Sequence, residues 1–181
     1  MEAVVTAIAA LAALGGALGG ALLGAWLNGR QQQTERRAAF LEHQLHDFYS
    51  PLVSLHEQIL AKRRMREKVL RTAQEDPRVK GSQKDLLMQH DADHFVEELF
   101  PDYQSMLRIF RDNLWLAEAE TRGYFSALFE FVEIWDRWLK ETLPAEMVHI
   151  IGHDEEPLQH FYEHLRRKHD ELQARLSKGE A

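Results

Sequence analysis

From Ala3 to Leu27 the chain carries no charged side chain, whereas everything beyond Gly29 is polar, charged and helically patterned. A helix of that length rises roughly 37 Å, which exceeds a hydrocarbon core of about 30 Å. The stretch is therefore expected to be a transmembrane helix. Only Met1 and Glu2 precede it, so the basic n-region of a secretory signal is missing. The run is also longer than a signal's apolar segment, and a retained anchor is expected rather than a cleaved leader. Arg30, Arg36 and Arg37 follow the span and nothing basic precedes it. Basic flanks stay on the cytoplasmic side, which puts the N-terminus outside and residues 30–181 in the cytosol. Trp26 stands where an interfacial aromatic belongs.

The span is rich in small residues. Gly16, Gly20 and Gly24 recur every fourth position, Ala12 extends the row, and Gly15 with Gly19 lies beside it. Residues four apart share a helix face, so a second helix can approach this bare backbone closely. Self-association in the bilayer is one reading. The other is an anchor of marginal hydrophobicity that simply uses Ala and Gly.

The part after the anchor, 30–181, reads as one all-α domain, an antiparallel bundle of four to five helices. Sustained alternation and hairpin turns are missing, while apolar residues step by three and four. Leu41, Leu45, Phe48, Leu52, Leu55 and Ile59 form one stripe. Met88, Ala92, Phe95 and Leu99 form another, as do Tyr103, Leu107, Phe110 and Leu114. A fourth runs through Phe125, Leu128, Val132, Trp135 and Leu139, widened by Tyr124, Phe131 and Trp138, and is expected to be the most central. Leu158, Phe161, Leu165, Leu172 and Leu176 complete the set, with His169 in one inward position.

Breakers fall between the stripes. Residues 75–82, with Pro77 and Gly81, form the clearest loop. Pro101 should break or kink the chain after Phe100. Thr121 is placed to cap the next helix, and Pro144 to stop it. A short helix is expected over 145–151, ended by Gly152, before Asp154 caps the last helix with Pro157 in its first turn. At Pro51 the stripe keeps its phase, which favours a kink over a break. The pattern Leu-x-x-Phe-Tyr-x-x-Leu occurs twice, at Leu45–Leu52 and Leu158–Leu165, so two helices present the same aromatic pair.

Composition excludes several chemistries. The net charge of −7 argues against nucleic acid, which requires a concentrated basic face. Without cysteine there is no disulfide framework and no thiolate-ligated metal. No serine sits in a nucleophile elbow, and neither a Walker loop nor a dinucleotide fingerprint occurs. Among the ten histidines, His90 with His94, His160 with His164, and His149 with His153 are one helical turn apart. Such pairs share a metal if another helix supplies further ligands, but neither His-Glu-x-x-His nor the paired Glu-x-x-His pattern of di-iron bundles accompanies them. No cofactor or metal is assigned on that basis; His90, His94, His160 and His164 are the positions where one would be sought. The basic run from Lys62 to Arg71 reads as a solvated helix end facing Asp91, Asp93, Glu97 and Glu98. Contact with anionic lipid is its alternative reading. The aromatics Phe125, Phe129, Phe131, Trp135 and Trp138 read as core.

Phe48-Tyr49-Ser50-Pro51-Leu52, the run Met106 to Ala117, Leu143-Pro144, Gly152-His153 and Phe161 to Leu165 resemble a loose group of small bacterial membrane proteins. These have one N-terminal transmembrane helix and a helical cytosolic part. The resemblance implies a bacterial inner-membrane location and no particular activity, and it carries no functional residue onto this chain.

Three function classes remain on these grounds. One is a non-enzymatic interaction or scaffold module, tethered to the lipid bilayer and self-associating or holding a protein partner. A second is a membrane-perturbing effector that oligomerises on a signal. The third is a metal-dependent enzyme built on the histidine pairs.

Overall fold

A computed structural model describes residues 29–76, 78–151 and 156–179. Within these the chain is all α-helical, with π and 3-10 turns and no strand. The expected span over 3–27, with Gly16, Gly20 and Gly24, lies outside the described residues. Among the described residues no helix is long and apolar enough to cross a membrane.

The chain divides into two compact units, Met1–Glu42 with Arg175–Ala181, and His43–Ala174. In the first, residues 29–42 belong to helix α1 (29–43). Polar side chains on it bond one turn apart, Gln31 Nε2 to Glu35 Oε1 at 3.0 Å and Thr34 Oγ1 to the Arg30 carbonyl at 3.1 Å. Gly179, just past the last helix, is in the left-handed region, φ +66°, where a side chain would be strained.

The second unit is a helical bundle. Its elements are a π turn (Gln44–Tyr49), α2 (Ser50–Glu75), α3 (Gly81–His94), a second π turn (Phe95–Leu99) and α4 (Phe100–Asp112). A 3-10 turn (Leu114–Leu116), α5 (Ala119–Arg122), α6 (Phe125–Leu139), α7 (Ala145–Ile151) and α8 (Glu156–Ser177) follow. Five of these helices have at least 13 residues, at the upper end of the sequence expectation. The loop before α3 and the short helix over 145–151 stand where they were expected, whereas α6 ends at Leu139, ahead of Glu141 at positive φ. The Pro144 carbonyl instead opens α7 by accepting from the Met147 and Val148 amides. The Gly152 and Asp154 caps lie outside the described residues.

Both interior prolines are absorbed rather than broken upon. Pro51 and Pro101 each sit at the start of an α-helix directly after a π turn. A proline has no N–H to donate and its ring crowds the carbonyl four residues back. Widening the preceding turn relieves this: the Ser50 amide bonds the Leu45 carbonyl, and Phe100 bonds Phe95, both five residues back. The wider turn also lets neighbouring residues face inward together. Phe48 and Tyr49 are both buried, and so are Leu99 and Phe100.

Phe110 on α4 is the hub of the core. Phe48 meets it edge-on at 5.3 Å, Phe125 edge-on at 5.4 Å and Phe161 stacks on it at 5.6 Å. The two Leu-x-x-Phe-Tyr-x-x-Leu segments thus pack on one shared ring. The expectation that α6 is most central is corrected by this. On α6 only Leu128, Phe131 and Val132 are buried, while Phe129 and Trp138 are exposed. Its aromatics span too wide an arc of the helix for one neighbour to cover.

The stripe assigned to α3 also fails over most of its length. No residue of α3 is buried, Met88 is 60% exposed, and the inward face begins only at Phe95 and Leu99. The helix is held to α2 by polar contacts instead.

Candidate functional site

The second unit holds two candidate sites, a sealed polar cluster and an open apolar groove. The cluster gathers around segment 113–124, the 3-10 turn and short α5, where side chains take up the carbonyls of Leu116 and Ala117. Gln44 Nε2 donates to the Leu116 carbonyl at 2.7 Å, and Arg122 Nε to that of Ala117 at 2.8 Å. Such bonds are obligatory because Leu116 and Ala117 are buried. Thr121 does not cap a helix, as its sequence position suggested. Its hydroxyl is fully buried between Tyr49 Oη and His164 Nε2, both at 2.8 Å. Lys168 bonds Glu118 at 2.9 Å, which raises the lysine's pKa.

Thr121, His164 and Glu120 have the outline of a nucleophile, base and acid. His164 Nδ1 faces both Arg167 Nη2 at 2.9 Å and Glu120 Oε1 at 3.3 Å, while Nε2 bonds the Thr121 hydroxyl. That hydroxyl is fully buried and already bonded on both sides, by Tyr49 and His164. Burial also lowers the His164 pKa, with Glu120 opposing. The cluster is a clasp that ties the π turn, α5 and α8 together, and Tyr49, whose pKa burial raises, is part of it.

The remaining histidines are placed as follows. His160 is exposed, 3.9 Å from Glu163, whereas His164 is buried and bonded to Thr121, so the two rings do not converge on one open site. His94 Nε2 lies 3.4 Å from Glu98 Oε2 and His90 is exposed. Between them, Asp91 is committed to Arg66, whose Nη2 donates to Oδ2 at 2.6 Å. Among the described residues no three His, Asp or Glu side chains converge on a point a metal ion would occupy. The His149 and His153 side chains lie outside the described set. His56 is buried and stacked on Tyr162 at 3.8 Å. Its Nδ1 has no hydrogen-bond partner among the described residues. Burial, then the neighbouring Arg166, lowers its pKa to about 4, against the pull of Glu57.

The groove lies along the α2–α3 hairpin. One stretch, of about 180 Å³, is lined by Met65, Val69, Leu70, Leu87, His90 and the Arg66–Asp91 pair. The next, of about 280 Å³, continues past Val69, Thr72, Ala73 and Val79. Met65 is 62% exposed and Leu86 56%. The apolar row of α2 therefore runs on beyond the bundle core with nothing in the described chain to cover it.

The basic run lies in mid-helix, not at a helix end, because α2 continues to Glu75. Its inward members face the acidic stretch as expected. Lys62 Nζ bonds Asp102 at 2.7 Å and the Glu98 carbonyl at 3.1 Å, and Arg66 bonds Asp91. Arg63 lies over the Tyr103 ring at 6.0 Å. Arg64, Lys68 and Arg71 are exposed and make no ion pair among the described residues. Sequence reading saw the charges of this segment and missed the groove; the available signal was Met65 and Val69, four apart inside the basic run.

Comparison with family models, curated proteins and solved structures finds no match to this chain.

Proposed function

We propose that this chain is a membrane-anchored, non-enzymatic interaction module of a bacterial inner membrane. Residues 3–27 hold it in the bilayer and residues 30–181 stand on the cytoplasmic side. The observation that carries the reading is the apolar groove of the α2–α3 hairpin, uncovered among the described residues and rimmed by charges that make no ion pair among them. Apolar surface flanked by unneutralised charge is what a protein partner covers. Anchoring raises the local concentration of such a surface, so that weak contacts suffice. The polar cluster that most resembles catalytic machinery has its Thr121 hydroxyl buried and bonded on both sides, which supports a structural role for it and a binding role for the groove. No nucleic acid is involved, given the net charge of −7.

The Gly16, Gly20 and Gly24 row supports self-association within the bilayer and keeps one second reading in play, an effector that perturbs the membrane. The test is fractionation of cells expressing the full chain. It should stay in membranes through an alkaline wash and leave only with detergent. Protease added outside spheroplasts should spare residues 30–181. Gly20→Ile should lower the crosslinked oligomer. Recovery of the intact chain in the soluble pool would refute the reading. Depolarisation of cells on expression would favour the effector.

A further inference from the structure

We propose that the groove of the α2–α3 hairpin is filled by the same groove of a second copy, in a two-fold pairing that sets α2 of each copy against α3 of the other. The inference rests on the interaction role proposed above and names its partner.

The two rims of the groove differ in charge. On α2, Arg64, Lys68 and Arg71 follow a spacing of four and three and share a face beside Met65 and Thr72. On α3, Leu86, His90, Asp93 and Glu97 follow the same spacing into the π turn. All seven are exposed, and Arg64, Lys68, Asp93 and Glu97 make no ion pair among the described residues. The bonds Arg66–Asp91 and Lys84–Gln74 set the antiparallel register of the hairpin. That register brings Thr72 level with Leu86, and Arg64 level with Asp93.

A two-fold axis running along the groove keeps each level and exchanges the rims. Arg64 of one copy then lies level with Asp93 of the other, with Lys68 and Glu97 one turn to either side of that level, twice over, while Met65, Val69 and Leu86 are covered between them. A two-fold axis across the groove would instead place the basic rim on itself, which like-charge repulsion opposes. An isologous contact needs a self-complementary patch, and one basic and one acidic rim flanking an apolar floor is such a patch.

The chain has no cysteine, so introduced thiols report without background. Full-length Thr72→Cys and Leu86→Cys chains, differently tagged, are mixed in detergent and oxidised. Both positions are exposed, so neither change disturbs packing. The mixture should give a crosslinked heterodimer, and Thr72→Cys alone should not. Adding Arg64→Glu and Lys68→Glu to both chains should raise the concentration needed for half-crosslinking by about 10- to 30-fold, since each lost pair counts twice. Adding Asp93→Lys and Glu97→Lys as well exchanges the rims and should restore it. Crosslinking of Thr72→Cys to itself, no crosslink in the mixture, or no rescue would each overturn the pairing. In those cases membrane retention through an alkaline wash preserves the interaction reading, and loss of that retention removes both.

Discussion

Replacing His56 with phenylalanine should leave the protein as stable as before at pH 8 and make it the more stable of the two at pH 5. The imidazole is buried against Tyr162, and its Nδ1 bonds nothing among the described residues. A phenyl ring of similar size keeps the stack and sacrifices no bond at that nitrogen. In the unfolded chain the imidazole takes a proton near its ordinary 6.5. In the bundle, burial and the Arg166 guanidinium hold it neutral down to about 4. The folded pKa is depressed, so its share of stability is present above pH 6.5 and is lost as pH falls from 6.5 to 4. At pH 5 that linkage amounts to about 2 kcal/mol, approaching about 3 kcal/mol below pH 4. Other groups that face the site, Glu57, Arg63 and Tyr162, are common to both proteins and cancel in the difference. Urea unfolding of the full chain in detergent, followed by tryptophan fluorescence, at pH 8 and pH 5 for both proteins supplies the comparison. Wild type should lose about 2 kcal/mol more than the variant between the two. An equal loss would mean that His56 charges freely in the folded state, and the argument from burial would fall.

The sealed clasp makes a second expectation. Thr121→Val removes the hydroxyl shared by Tyr49 and His164, leaving His164 Nε2 without that partner and Tyr49 with the Glu118 amide alone, at a cost of about 1–3 kcal/mol in the same unfolding assay. Phe110→Ala opens a cavity where Phe48, Phe125 and Phe161 meet and should cost about 3–5 kcal/mol by that measure. Glu141 ends α6 with φ +56°, a conformation disfavoured for any residue with a Cβ, so Glu141→Gly should stabilise by about 0.5–1 kcal/mol.

Much of the helical framework was legible beforehand because helix periodicity is a local property. The row from Leu41 to Ile59 keeps its phase through Pro51, and four of its six members, Leu41, Phe48, Leu52 and Ile59, are buried. The rows on α4 and α8 behave similarly around Tyr103, Phe110, Leu158 and Phe161. The row through Met88 and Ala92 has the same spacing and stays exposed. Spacing says that residues share a face, and a neighbour must still exist to cover it. The candidate site was hidden for the same reason. Met65 and Val69 read as incidental apolar residues within a basic run, and their role as a groove floor depends on α3 lying alongside. Thr121 looked like a cap because it stands before an apolar row, yet Tyr49 and His164 draw its hydroxyl inward from 72 and 43 residues away.

Sequence alone determined the all-α class, the loops at 75–82 and near Pro144, and the positions of the long helices. These follow from backbone chemistry and from repeats within single segments. Tertiary structure decided which rows became core, that both prolines are housed by π turns, and that segment 113–124 is clasped by side chains from distant helices. It also decided that one stretch of α2 faces open groove. Burial and hydrogen-bond satisfaction are relations between segments, and they take a value only when the segments have been brought together.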